Sequence, residues 1–230
     1  MPPPRQNFKN FPGFTLAEIL ITLGIIGIVA ALTVPMFVER YREKVIVNKL
    51  KKFYSSYSQA FAMAVAENGT VDTWGLIDRE PLVDGGDTAA TIENNKKFTE
   101  TILAYYKGDK KYIWQSQTYR LTDGTHISLP NNFYPTTCTS NKKACGGIHV
   151  FLETTDRRTP IHQNFGFTVY RDKIVPVGAN MTETDDRNCK SNHFHCTAWV
   201  LYNENLDYLH CPDKIGWNKA RSCKEAAQKK

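Results

Sequence analysis

The sequence predicts an α+β fold: a long N-terminal helix, apolar along its first half, packs on a small antiparallel sheet with a disulfide-bearing C-terminal region. Three observations support this prediction. An apolar stretch covers residues 14–38, and helical periodicity continues it to about residue 68. Short strand-like segments follow, and all the cysteines lie in the C-terminal half.

The apolar stretch is long enough to cross a membrane. Residues 19–38 carry no charge, and a helix of roughly 20 apolar residues crosses about 30 Å of hydrocarbon. Arg5 and Lys9 precede the stretch, whereas residues of both signs follow it. By the positive-inside rule this asymmetry predicts a single-pass protein with a cytoplasmic N terminus and an exported C-terminal domain.

Beyond Pro35 the pattern changes from apolar on all sides to amphipathic. The apolar positions that recur at helical spacing are Ile46, Leu50, Phe53, Tyr57, Phe61 and Ala64. Gly69 is a natural stop. We therefore predict one helix over residues 15–68, and its amphipathic part requires a domain to pack on. Gly24, Gly27 and Pro35 weaken or kink this helix and also permit close approach of neighbouring helices.

Glu18 is the one charged residue inside the apolar stretch. A carboxylate in hydrocarbon costs a few kcal/mol on insertion scales, so Glu18 requires a partner. Arg5 or Lys9 could supply a cation from the same chain, and the amino terminus of a neighbouring subunit is the other possibility.

The segment Gly13-Phe14-Thr15-Leu16-Ala17-Glu18, followed by the apolar stretch, resembles the signal of type IV prepilins and type II secretion pseudopilins. The resemblance implies that a prepilin peptidase cuts between Gly13 and Phe14 and methylates the amino group of Phe14. Removal of 13 of the 230 residues would leave 217. Glu18 would then be the fifth mature residue, whose carboxylate meets the amino terminus of an adjacent subunit. Pro35 lies where many pilins carry a helix-distorting proline.

The resemblance also implies a division of the chain and a set of partners. Residues 1–13 would be a cleaved leader, 14–38 the transmembrane and filament-core segment, 39–68 an amphipathic continuation, and 69–230 an exported α+β head. The partners would be prepilin peptidase, other pilin or pseudopilin subunits, the inner-membrane assembly platform and, before assembly, membrane lipid. We expect a cytoplasmic-membrane protein that enters an extracytoplasmic filament.

The head shows one further helix and several strands. Residues 91–106 have moderate helical periodicity. Strand-like segments cover residues 112–121, 126–129, 148–152, 165–170, 174–177 and 198–202, and a turn is predicted at Asp123-Gly124. These segments predict a small antiparallel sheet, without fixing its strand order.

The cysteines favour disulfide bonds, since an even, clustered set is typical of an exported domain. The candidates are Cys138, Cys145, Cys189, Cys196, Cys211 and Cys223. Nearest-neighbour pairing would close three small loops, each stabilising by about 2–3 kcal/mol. Sequence alone leaves fifteen pairings open.

Metal sites are the alternative for some of these residues. Zinc could take the thiolates and imidazoles of Cys189, His193, His195 and Cys196, but their spacing matches no standard zinc signature. Calcium could take carboxylates from one acidic group, consisting of Asp172, Glu183, Asp185 and Asp186. That group lacks the regular spacing of a calcium loop. We therefore expect no cofactor and no metal, and a solvated acidic loop.

Other functions lack support in the sequence. The net charge of +6 is scattered among acids, so no nucleic-acid partner is predicted. No nucleophile elbow or phosphate loop is present, so we predict that the chain is not an enzyme. Trp199, Tyr202, Tyr208 and Trp217 are expected to pack in the core or loops and not to form a carbohydrate-binding strip. The predicted function is a structural subunit of a type IV pilus or type II secretion pseudopilus, and the size and cysteine-rich end favour a minor one. The alternative is a membrane-anchored binding module, such as an adhesin or DNA-uptake tip protein.

Overall fold

The computed structural model describes residues 15–84, 86–130, 132–152, 164–179 and 193–228. The chain divides into two units, residues 1–42 and residues 43–230. The boundaries predicted after residues 13, 38 and 68 remain predictions.

Helix α1 covers Leu16–Asn68, within one residue of the predicted start and at the predicted end. It ends where Gly69 adopts a φ of 78°, a left-handed conformation that favours glycine over residues with a Cβ. Within the second unit α1 presents one buried face to the head. The residues of that face are Ile46, Val47, Leu50, Phe53, Tyr57, Ala60, Phe61 and Ala64. The predicted amphipathic pattern is therefore confirmed.

Helix α2 covers Ala89–Leu103, so the second predicted helix is confirmed with its ends shifted by two or three residues. The shift at its start has a local cause. Thr88 is the N-cap, and its hydroxyl accepts a hydrogen bond from the backbone N–H of Thr91 at 3.1 Å.

The described strands form a six-stranded antiparallel sheet in the order β1-β2-β3-β4-β5-β6, so each strand pairs with its neighbour in sequence. The strands are β1 Lys110–Ile113, β2 Thr118–Leu121, β3 His126–Ser128, β4 Gly146–Phe151, β5 Asn164–Val169 and β6 Ile174–Pro176. The turn predicted at Asp123-Gly124 joins β2 to β3, with Gly124 at a φ of 82°. These elements confirm the α+β, pilin-like fold class.

One face of the sheet packs on α1 to form the core. The side chains that alternate into this face include Ile148 and Val150 of β4 and Phe165 and Phe167 of β5, and all four are fully buried. The ring of Phe167 lies 5.8 Å from that of Phe53 on α1. A buried phenylalanine contributes a few kcal/mol, so these rings hold the sheet on the helix.

The strand predicted over residues 112–121 is wrong, because the chain reverses direction within it. Residues Trp114–Ser116 form a 3-10 turn, and Gln117 follows with a φ of 48°. Tyr112 consequently pairs with Tyr119 across a hairpin. The polar run of glutamines and serine after Trp114 provides the turn residues.

The strand predicted over residues 198–202 is also wrong. Residues Thr197–Asn203 form helix α3, which follows a 3-10 turn at His193–Cys196. Thr197, Ala198, Trp199 and Val200 are all buried. A short apolar run that is largely buried has the same composition in a strand and in a helix, and periodicity cannot distinguish them.

Two disulfide bonds join nearest-neighbour cysteines that both lie among the described residues. Cys138 bonds Cys145 and Cys211 bonds Cys223. Cys145 also donates its backbone N–H to the carbonyl of Val169 at 2.7 Å, so the first bridge fixes its loop to β5. The second bridge ties helix α4, Cys223–Gln228, to the loop that precedes it.

Candidate functional site

The N-terminal part of α1 leaves its apolar side chains uncovered. Leu16 is 80% exposed and Leu32 is 76% exposed. Among the described residues α1 is the helix long and apolar enough to cross a membrane, with a mean hydropathy of 2.4 in its most apolar window and none of that window buried. Exposed apolar surface of this extent requires lipid or other protein to cover it. These properties fit a single-pass, membrane-anchored protein.

Glu18 has a hydrogen-bonding partner within its own helix. Its Oε2 accepts from the backbone N–H of Thr15 at 2.8 Å and from the Thr15 hydroxyl at 2.9 Å. The N–H of Glu18 in turn donates to Thr15 Oγ1 at 3.2 Å. This reciprocal arrangement is a capping box, which satisfies backbone donors that the first helical turn leaves unpaired.

The capping box changes the interpretation of Glu18. The sequence predicted only a cation as its partner, either from the leader or from a neighbouring subunit. In the described part of the chain Glu18 contacts Thr15 and no cation. Thr15 is thus a residue that the sequence interpretation missed, although Thr15-Leu16-Ala17-Glu18 matches the threonine-x-x-glutamate signature of this cap. Arg5, Lys9, Gly13 and Phe14 lie outside the described residues, so their predicted roles remain predictions.

The small and hydroxyl residues of this segment have distinct surroundings. A Cβ added at Gly24 or at Gly27 would meet nothing within 4 Å, so both positions open onto free helix surface. Thr33 donates its hydroxyl to the carbonyl of Val29 at 2.9 Å, which satisfies that polar group within the helix. Pro35 lies inside α1, and the helix continues past it to Asn68. Its predicted distorting role remains a prediction.

At the start of the second unit, α1 is tied to the C-terminal loop. His210 donates from Nε2 to Oε1 of Glu43. Tyr208 lies close by and is 5% exposed. Its pKa is raised, first by burial and then by the negative charge of Glu43. The Tyr208 hydroxyl therefore stays protonated, and Glu43 and His210 form a fixed polar contact between the helix and the loop.

Within the cysteine and histidine group, the described cysteine does not provide a thiolate for zinc. Cys196 is disulfide-bonded, whereas a zinc ligand must be a free thiolate. Cys189 lies outside the described residues. His193 and His195 belong to the 3-10 turn at His193–Cys196.

The acidic group proposed as a calcium alternative is described only at one position. Asp172 lies in the turn between β5 and β6, and its buried Oδ1 has no hydrogen-bond partner among the described residues. Glu183, Asp185 and Asp186 lie outside the described residues. The expectation that no cofactor is bound therefore remains an expectation.

The four aromatic residues near the C terminus divide between the core and its rim. Trp199 is 4% exposed, and its ring lies 5.3 Å from that of Trp217. Tyr202 is exposed, and its ring lies 6.1 Å from Trp217. Packing within the protein thus accounts for Trp199 and Tyr208, whereas Tyr202 remains at the surface.

Comparison with known proteins connects these features to families. The model described as "Family of unknown function (DUF6613)" matches residues 36–206. The model described as "Prokaryotic N-terminal methylation motif" matches residues 8–34. No curated protein and no solved structure matches the chain.

The methylation motif supports the type IV pilin-like prepilin signal, and it covers Thr15, Glu18 and the first part of the apolar segment. It implies processing by a prepilin peptidase and assembly with other pilin subunits. Proteins with this motif are typically structural. The match to residues 36–206 spans most of the chain, and the chain therefore belongs to the family of unknown function DUF6613, as a member with a type IV pilin-like N terminus.

Proposed function

We propose that this chain is a minor structural subunit of a type IV pilus or of a type II secretion pseudopilus. It is made as a precursor, anchored in the cytoplasmic membrane by α1, and added to a filament through the same helix. It has no catalytic role and needs no cofactor.

The observation that carries the proposal is the uncovered apolar segment of α1, which contains a single carboxylate and whose first part lies within the methylation motif. Apolar side chains such as Leu16, Ile28 and Leu32 are largely exposed in the described part of the chain. Lipid covers them before assembly, and the helices of other subunits cover them in the filament.

Processing would place a positive charge beside the Glu18 cap. Cleavage between Gly13 and Phe14 creates an amino group one residue before Thr15. Methylation leaves this amino group protonated at neutral pH. The cap holds Glu18 Oε2, and the second carboxylate oxygen can accept a hydrogen bond from the amino terminus of an adjacent subunit. Pairing at this point would penalise misaligned addition, because an unpaired carboxylate among apolar helices is costly.

Orientation follows from the charges that flank α1. Arg5 and Lys9 would remain in the cytoplasm until cleavage, and residues 43–230 would be exported. The disulfide bonds of the head suit an oxidising compartment outside the cytoplasm. The inner-membrane assembly platform would then be the partner that extracts the helix from lipid.

The mass of the N-terminal peptide of protein recovered from its native membrane tests this proposal. We expect a peptide that begins at Phe14 and is heavier by one methyl group. A peptide that begins at Met1 in stably exported protein would contradict it. The helix would then be an uncleaved anchor, and a membrane-anchored binding module would become the better interpretation.

A further inference from the structure

The sheet has an outward face, opposite the core, that no predicted function uses. Side chains alternate along a strand, so His149 and Phe151 project away from the buried Ile148 and Val150. Phe151 is paired with Asn164 on the next strand and therefore shares this face with it. Polar and aromatic side chains thus occupy the same side of the sheet.

A cavity of about 450 Å³ lies on this side of the sheet, within the range of ~300–1,000 Å³ that is usual for small-molecule sites. Its wall is formed by α2, by the turn before β2, by the ends of β3 and β4 and by the start of β5. Besides Asp87 and His149, the polar groups of the wall are carboxamides and hydroxyls. They belong to Asn95, Gln117, Asn164, Ser116, Thr118 and Ser128.

Asn95 contributes to this wall a side-chain oxygen that has no hydrogen-bond partner among the described residues. Its side chain is 3% exposed, and its Nδ2 donates to the carbonyl of Pro130 at 2.9 Å. Its Oδ1 is buried and accepts no hydrogen bond from the described residues. A buried carbonyl oxygen without a donor costs about 1–3 kcal/mol. A ligand that donates a hydrogen bond would remove this cost.

Aromatic and apolar surface lies beside these polar groups. The rings of His149 and Phe151 are stacked, with centroids 6.2 Å apart and planes 13° apart. Phe151 is 38% exposed, so part of its ring is available to a ligand. Leu129 also contributes to the wall.

The wall carries little net charge. Apart from His149, Asp87 is the one acidic or basic residue among the described residues of the wall, and its Oδ1 is paired with Nε of Arg79 at 2.7 Å. Burial lowers the pKa of His149, which favours the neutral form of its ring. Nδ1 of His149 lies 3.2 Å from Oδ1 of Asn164, which orients both side chains.

We propose that this cavity binds a neutral saccharide, with hydroxyl groups on the carboxamides of Asn95, Gln117 and Asn164 and a sugar ring against Phe151. Sugar hydroxyls both donate and accept, so they can satisfy the unpartnered Oδ1 of Asn95 together with the neighbouring hydroxyl groups. The C–H face of a sugar ring is apolar and suits the exposed phenylalanine. An anionic ligand would find no positive charge in the described wall, and a wholly apolar ligand would leave the carboxamides desolvated.

Full-length chain in a detergent that contains no sugar tests the proposal. The probes are neutral di-, tri- and tetrasaccharides of glucose, galactose, mannose and N-acetylglucosamine on an array, followed by titration calorimetry with any that bind. We expect at least one of them to bind. Failure of all of them to bind overturns the proposal.

Two variants locate the binding site. Phe151→Ala removes the exposed ring, and we expect Kd to rise about fivefold or more. Asn95→Leu removes the unpartnered oxygen, and we expect a similar rise, with its unfolding transition measured alongside because Asn95 is buried. Tyr202→Ala, at an exposed aromatic residue outside this wall, is the matched control and should leave Kd unchanged. Equal Kd values for the wild-type and Phe151→Ala chains overturn the proposal even if a saccharide binds.

Discussion

Replacing Glu18 by glutamine separates the two roles of this side chain. The carboxylate accepts two hydrogen bonds from Thr15, and the carboxamide oxygen of the introduced glutamine can accept both, so the cap is preserved. The charge that would pair with the amino terminus of a neighbouring subunit is lost. A charge-assisted hydrogen bond contributes about 2 kcal/mol, which corresponds to about a thirtyfold loss of incorporation.

Thr15→Val is the matched control, because it removes the hydroxyl of the cap and retains the carboxylate. It should cost about 1 kcal/mol of helix stability and lower incorporation only about fivefold. The assay compares the processed chain in sheared filaments with that left in membranes, and the Phe14 peptide verifies cleavage. Normal incorporation of Glu18→Gln would refute the intersubunit role. A defect in Thr15→Val without a defect in Glu18→Gln would show that Glu18 acts only as a helix cap.

Two further predictions concern the head. A Cβ at Gly166 would lie 2.2 Å from the ring of Phe194. Gly166→Ala should therefore lower the free energy of unfolding by about 1–3 kcal/mol. Urea titration should show a much smaller loss of this free energy when Gly166→Ala is made in a Phe194→Ala background. Burial lowers the folded-state pKa of His149, so unfolding binds a proton as the pH falls below about 6.5. The urea concentration at the midpoint of unfolding should therefore decrease when the pH is lowered from 7.5 to 5.5. The decrease should be smaller in His149→Gln.

The long helix could be predicted from the sequence because two independent signals agree. The apolar stretch and the later helical spacing both continue without a break, and Gly69 ends them. Such signals accumulate over many residues, so no single residue decides the outcome. The same holds for β3 to β6, where alternation and turn residues agree with the observed strands.

The two wrong strand predictions arose where the decisive interactions are tertiary. The reversal after Ile113 depends on Gln117 in a left-handed conformation and on pairing of Tyr112 with Tyr119. Helix α3 is buried along most of its length, so its sequence shows neither a helical nor a strand period. Packing decides such segments, because their intrinsic preferences are weak.

The candidate assembly site could be predicted only in part. Glu18 stands out because a charge in an apolar run is costly, and this signal identifies the residue without identifying its partner. The sequence also indicates the local partner, since a threonine three residues before a glutamate is the signature of a capping box. The cavity beside Asn95 could not be predicted, because α2, β3 and β4 bring its wall together from distant positions.

The capping box bears on how an isolated subunit tolerates Glu18. A carboxylate that accepts two hydrogen bonds from Thr15 has part of its hydration replaced, which lowers the cost of placing it at the edge of hydrocarbon. The remaining cost is relieved only by a cation. Before cleavage the leader can supply one, and after cleavage the amino terminus of another subunit can. Under the proposed function, the cap would therefore let the monomer persist in the membrane, and the residual charge would still favour addition in the correct register.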